Sequence, residues 1–207
     1  MAAMSAIRVE RQVAAEEAAR GDYYALLGRF FGRAPDGQLL ASLAAAGPLP
    51  EGGRIDLAHA WRDLTAAASA MDALAAEEEY DALFGGVGKS AVSLYAGAYA
   101  RATAVEHPRV RIQRDLAAAG LAHQAPTEPE DHFAALFDAM RVLAAGGPDR
   151  APAPIAQQRA FFESHVKPAA PKFFAVLATH PKSNFYRCVG ALGQAFLQLE
   201  SESFSLD

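Results

Sequence analysis

Five consecutive residues, Glu128-Pro129-Glu130-Asp131-His132, set three carboxylates and an imidazole directly ahead of an apolar stripe through Phe133, Leu136, Phe137, Met140 and Leu143. Carboxylates can hold guanidinium groups through charge-assisted hydrogen bonds, and an imidazole beside a carboxylate is in principle an acid–base pair. The stripe keeps the i, i+3, i+4, i+7 spacing of one helix face. Thr127 with Glu130 three residues on predicts a capping box, with Pro129 tolerated in the first turn. The acids then cluster at a helix N-terminus, where Glu128 and Asp131 read either as helix-terminal acids stabilised by the macrodipole or as ligand contacts. Adjacent helical residues point about 100° apart, so Asp131 and His132 need not meet. His132 shares a face with Leu136 and Met140, and reads either as a satisfied, partly buried histidine or as a recognition histidine.

Tyr95 and Tyr99, four apart, predict a helix carrying both rings on one face, either as core or as the wall of a groove that supplies their hydroxyls with partners. Gly85 to Ser90 (Gly-Gly-Val-Gly-Lys-Ser) has the glycines, lysine and serine of a phosphate-cradling loop, which makes a nucleotide-binding regulatory protein one alternative function. The spacing argues against it: the motif needs a glycine five before Gly88, where Leu83 stands, and a buried strand ahead of the loop, where Glu77 to Phe84 reads as an acidic amphipathic helix. The six histidines, His59, His107, His123, His132, His165 and His180, include no pair at i, i+3 or i+4, so no metal site is expected. No Gly-x-Ser-x-Gly elbow occurs, and the single cysteine, Cys188, sits in an apolar periodic segment as a buried structural thiol. Neither catalysis nor a cofactor is expected. A plain helical interaction scaffold, with every aromatic in the core, is the remaining alternative.

The elements that must position these residues are helical throughout. Alanine abundance, few β-branched runs and repeated 3.6-residue patterns predict a single all-α bundle over residues 1–207 and no strand. A first helix over about 11–33 carries Tyr23, Leu26, Leu27, Phe30 and Phe31 and stops near Gly32 and Pro35; others follow at about 36–46, 55–73, 77–84 and 108–119. Glu77-Glu78-Glu79 reads as a solvated face. A Gly/Pro-rich hinge at about 145–154 joins two helical subsets, which leaves a monomer or a dimer with exchanged C-terminal helices open. The last helix shows Phe185, Val189, Leu192, Phe196 and Leu199 as a core seam.

The net charge of −5 and scattered basic residues exclude nucleic acid as a partner, whose affinity rests on clustered Lys and Arg; an acidic surface suits a basic peptide. Residues 1–13 show no export signal, no window is apolar enough for a membrane span, and a lone cysteine fits a reducing cytoplasm.

Three ordered blocks resemble the TorD/DmsD family of cytoplasmic molybdoenzyme maturation chaperones, related to the nitrate reductase delta-subunit assembly proteins. They are Tyr80-x-x-Leu83-Phe84 through Gly88 with Tyr95 and Tyr99; Glu128-Pro129-x-Asp131-His132 with Met140; and Phe162-x-x-His165-x-x-Pro168 followed by Phe173, Phe185-Tyr186 and Phe196 to Glu200. The first block is nearest to members serving formate dehydrogenases. Departures from the family pattern are Leu94 in place of a proline, Gly97 in place of a serine and Ala169 in place of a tryptophan. The resemblance implies a TorD-like helical chaperone, not an enzyme, whose partner is the catalytic subunit of a molybdoenzyme. It would bind that subunit's twin-arginine signal peptide and hold the subunit back until cofactor insertion. On this reading Tyr95, Tyr99, Glu128, Asp131 and His132 line the peptide site, and Phe84, Leu136, Met140 and His165 support its groove.

Overall fold

The computed structural model describes residues 2–50, 52–85, 90–100, 108–121 and 129–206, with side chains from residue 15 onward. Among these residues the chain runs through helices α1 (Ala2–Gly32), α2 (Gly37–Ala44), α3 (Ile55–Ala70), α4 (Ala73–Phe84), α5 (Pro108–Ala118), α6 (Phe133–Ala145), α7 (Ile155–Phe161), α8 (Ala170–Thr179) and α9 (Phe185–Leu206). A single 3-10 turn at Ala96–Ala98 lies between α4 and α5, and α7 passes directly into a π turn at Phe162–Val166. No strand occurs among the described residues; two isolated antiparallel bridges pair Tyr95 with His132 and Gly147 with Arg150. The fold is all-α, as alanine content and periodicity predicted.

Short polar side chains start the helices where the sequence offers them. The Asp36 carboxylate accepts from the Leu39 amide at 2.8 Å to open α2, and Asp72 does the same for Ala75 at 2.8 Å to open α4. Three expectations are corrected. Tyr95 and Tyr99 do not share a helix face: they flank the 3-10 turn, with Tyr95 in extended conformation (φ −108°, ψ 129°). The bridge to His132 takes Tyr95 out of a helix, and Gly97 inside the turn lowers helix propensity further. α6 begins at Phe133 rather than near residue 128, so the acids precede the helix instead of filling its first turn. Glu79 is not a solvated face residue. Its carboxylate accepts from the amides of Asn184, Phe185 and Tyr186 at 2.8–3.0 Å, so α4 caps the N-terminus of α9 across the fold.

α1 packs along α6, while α9 packs against α8 and α3. The shared interior is aromatic: Phe133 stacks on Phe173 at 4.2 Å, Phe137 on Phe174 at 5.8 Å, and Phe31 meets Phe173 edge-on at 4.8 Å. Each such ring contributes about 1.5–3 kcal/mol by leaving water. Gly190 and Gly193 allow α9 this close to α8, since a Cβ at either would press on the α8 backbone or the Phe174 ring.

One ion pair lies inside this packing. Glu200, 1% exposed, takes two hydrogen bonds from the Arg20 guanidinium, at 2.6 and 2.8 Å, and a third from the Tyr24 hydroxyl at 2.8 Å. Arg20 also donates to Gln158, whose amide donates to the Ala153 carbonyl, so the network joins α1 and α9 to the start of α7. The segment over residues 145–154 is non-helical after Ala145 and is tied back at several points. The Ala153 amide donates to the Leu143 carbonyl, and Arg150 donates to the carbonyls of Ala119 and Gly120 at the end of α5.

α5 buries Ile112 and Leu116 against the body and adds polar contacts to them. Its Asp115 accepts from Nε2 of His165 at 2.8 Å, and Arg111 donates to the Ser164 carbonyl. Burial pushes the His165 imidazole below its usual 6.5, against the opposing hydrogen bond and charge of Asp115, so the folded ring is the neutral donor near pH 7.

Two outcomes follow. Arg20→Met strands the Glu200 carboxylate and costs about 3–5 kcal/mol in urea unfolding; a loss below about 1 kcal/mol would show that the network is not structural. Because the unfolded chain protonates His165 more readily than the folded one, stability falls as pH drops below 6.5. His165→Gln therefore flattens the dependence of Tm on pH between about pH 7 and 5; an unchanged slope contradicts this.

Candidate functional site

A cavity of ≈370 Å³ opens between the end of α1, α4, α5 and α6. Its making begins with backbone. The Ala96 amide donates to the Asp131 carbonyl at 2.8 Å and the Phe133 amide to the Leu94 carbonyl at 2.9 Å, the pattern of an antiparallel non-hydrogen-bonded pair. Side chains of such a pair stand side by side, and the Tyr95 and His132 rings accordingly meet edge to face at 5.3 Å. His132 is also the N-cap of α6: Nδ1 accepts from the Ala134 amide at 3.2 Å, which fixes the ring at the cavity wall.

α6 supplies the longest wall. Its core face, Phe133, Leu136, Phe137, Met140 and Leu143, is fully buried. The opposite face presents Ala134, Ala135, Asp138, Ala139 and Val142 to the cavity, small side chains at helical spacing that leave the volume open. Leu116 and Leu121 close the α5 side, and Gly32, Tyr80 and Leu94 the α1–α4 side. Tyr80 is held by a hydrogen bond to the Phe31 carbonyl at 3.1 Å and by its contact with the Phe84 ring at 5.0 Å. Glu130 is the second acid of the lining. Burial would raise its carboxyl, but the hydrogen bonds from Gln113 and Arg109, at 2.7 and 2.8 Å, outweigh this and hold it below its ordinary value. Among the described lining residues none is lysine or arginine. Two further depressions share its walls, one through Gly32 and Tyr80, the other through Ala134 and Asp138.

The residues singled out from sequence fall into distinct places. Tyr95, 38% exposed, and His132, 6% exposed, line the cavity together. Asp131, 9% exposed, turns away toward Gly97, with its Oδ2 3.2 Å from where a Cβ at that glycine would lie, and is not part of the lining. Tyr99 does not line it either; its hydroxyl donates to the Ser93 carbonyl and its ring packs on Phe133 and Phe173. Phe84 backs Tyr80, while Leu136 and Met140 seat α6 from behind, too buried to touch a ligand. His165 is away from the cavity, paired with Asp115 behind α5. Glu128 and Thr127 lie outside the described residues, as do residues 86–89 of the glycine-rich loop. The capping box is replaced by the His132 cap, and Glu130, its expected member, is bonded to α5 instead. That loop follows a helix ending at Phe84, not the strand a phosphate loop requires. No group of side chains able to hold a metal occurs among the described residues, and no helix there is long and apolar enough to cross a membrane.

Sequence reasoning missed Tyr80, Glu130 and Asp138 as lining residues. A signal for Asp138 existed, since residues 135, 138, 139 and 142 repeat at helical spacing on the face opposite the aromatic stripe.

No curated protein matches the chain. The family model described as nitrate reductase delta subunit matches residues 53–175, a segment that holds every lining residue of the cavity except Gly32. The match covers more than half of the chain, and the chain belongs to this family, one of molybdoenzyme assembly chaperones and not of catalysts.

Proposed function

We propose that this chain is a cytoplasmic chaperone that binds the twin-arginine signal peptide of a molybdoenzyme catalytic subunit, of which a formate dehydrogenase is the nearest candidate, and holds the subunit until its cofactor is inserted. The observation that carries this reading is the cavity beside α6: aromatic and aliphatic walls, two carboxylates, and no basic side chain among the described lining residues. A leader of that kind offers the complement, an apolar segment next to guanidinium groups. Micromolar binding needs about 8 kcal/mol, of which one charge-assisted hydrogen bond supplies roughly 1.5–3. Burying about 200 Å² of apolar surface against Leu94, Tyr95, Leu116 and Leu121 adds about 5 kcal/mol, so greasy contacts dominate and the acids set direction.

Isothermal titration with the leader of a molybdoenzyme encoded beside this chain tests the reading. Wild type binds it, and Tyr95→Ala weakens binding on the order of tenfold, about 1.4 kcal/mol, without unfolding, because that ring is partly in solvent. His132→Ala weakens it too and lowers stability by about 1 kcal/mol through the lost cap. Absence of heat with every such leader overturns the reading.

A further inference from the structure

We propose that Asp138 is the carboxylate that receives an arginine of the leader, with Arg141 as the partner it gives up on binding; this rests on the leader-binding reading above. Of the acids near the cavity, Asp131 is buried outside the lining and both oxygens of Glu130 are already taken by Arg109 and Gln113. Asp138 differs. It lines the cavity, its side chain is 56% exposed, and its hydrogen-bonding partner is Arg141, one helical turn on, at 2.7 Å. Exposed helical ion pairs of this kind contribute little net stability, so replacing one guanidinium by another costs little.

The surroundings select the cation. Ala135 and Ala139 flank Asp138 on the α6 face and leave space for an aliphatic stem, while Tyr80 and Tyr95 line the same cavity with rings that a flat guanidinium can stack upon. The depression that shares Asp138 carries Arg29 and Arg141, which repel a second cation there. The carboxylate thus favours one arginine entering from the cavity side. A planar, two-pronged donor meets both oxygens with two parallel hydrogen bonds, a fit that the compact ammonium group lacks.

The test uses fluorescence anisotropy with a labelled leader peptide carrying its arginine pair and with the same peptide carrying glutamine in both places. Asp138→Asn weakens the arginine peptide by roughly three- to fivefold and leaves the glutamine peptide unchanged. Arg141→Ala, which removes the competing guanidinium, tightens the arginine peptide several-fold. An equal loss for both peptides, or retained wild-type affinity in Asp138→Asn, overturns the assignment while leaving leader binding intact. If wild type binds neither peptide, the leader reading falls and the assignment with it.

Discussion

The structure is organised around the burial of one face of α6. Phe133, Phe137 and Met140 are clamped among α1 and α8 by ring contacts such as Phe133 on Phe173 at 4.2 Å, and this fixes the rotation of the helix about its own axis. With that rotation set, Ala135, Asp138, Ala139 and Val142 have only the opposite direction to face, which is the cavity. A packed core is also stiff, so the cavity wall inherits its rigidity from the aromatic side. The same burial places the first amide hydrogens of α6 beside Leu94, where the Phe133 amide and the Leu94 carbonyl make the bond that holds Tyr95 next to His132.

Two polar devices keep the remaining helices in register with this frame. Glu79 on α4 caps α9, and Glu200 on α9 binds Arg20 and Tyr24 on α1. Each spans a long stretch of sequence and each satisfies groups that would otherwise be buried without partners. α5 is attached differently, by Asp115 to His165, by Arg109 and Gln113 to Glu130, and by Arg150 to its C-terminal carbonyls. Those polar ties border the cavity on one side, while Ile112 and Leu116 bury the apolar face of α5.

The helices were legible because Phe and Leu recur at three and four residues wherever a helix faces the core, as in Phe185, Val189, Leu192 and Phe196. Helix ends were less so. Tyr95 and Tyr99 have helical spacing, yet backbone bonds to Asp131 and Phe133 outcompete a helix there, and no local pattern announces a partner nearly forty residues away. Glu79 and Glu200 look like surface acids by composition; their roles come from tertiary placement, although Glu200 does fall on the buried seam of α9, four after Phe196, where an unpaired carboxylate would be costly. At the cavity, Tyr95 and His132 are residues that the family resemblance singled out, while type and spacing alone left each open between core and groove. Asp138 was passed over because a single acid in an alanine-rich helix looks like ordinary solvent-facing charge, and only the rotation of α6 shows that it borders a cavity.

The chain belongs to a family of molybdoenzyme assembly chaperones, and the composition of the cavity is what supports the proposed recognition of a client segment there. The most direct measurement is site-mapped photo-crosslinking: a leader peptide carrying a benzophenone within its apolar segment is irradiated with the intact protein, and the adducts are located by mass spectrometry. The account predicts adducts on Leu94–Tyr95, on residues 116–121 and on the 134–142 face of α6, competed away by unlabelled leader. Adducts confined to other surfaces, such as the α2–α3 side, with these segments untouched, would contradict it.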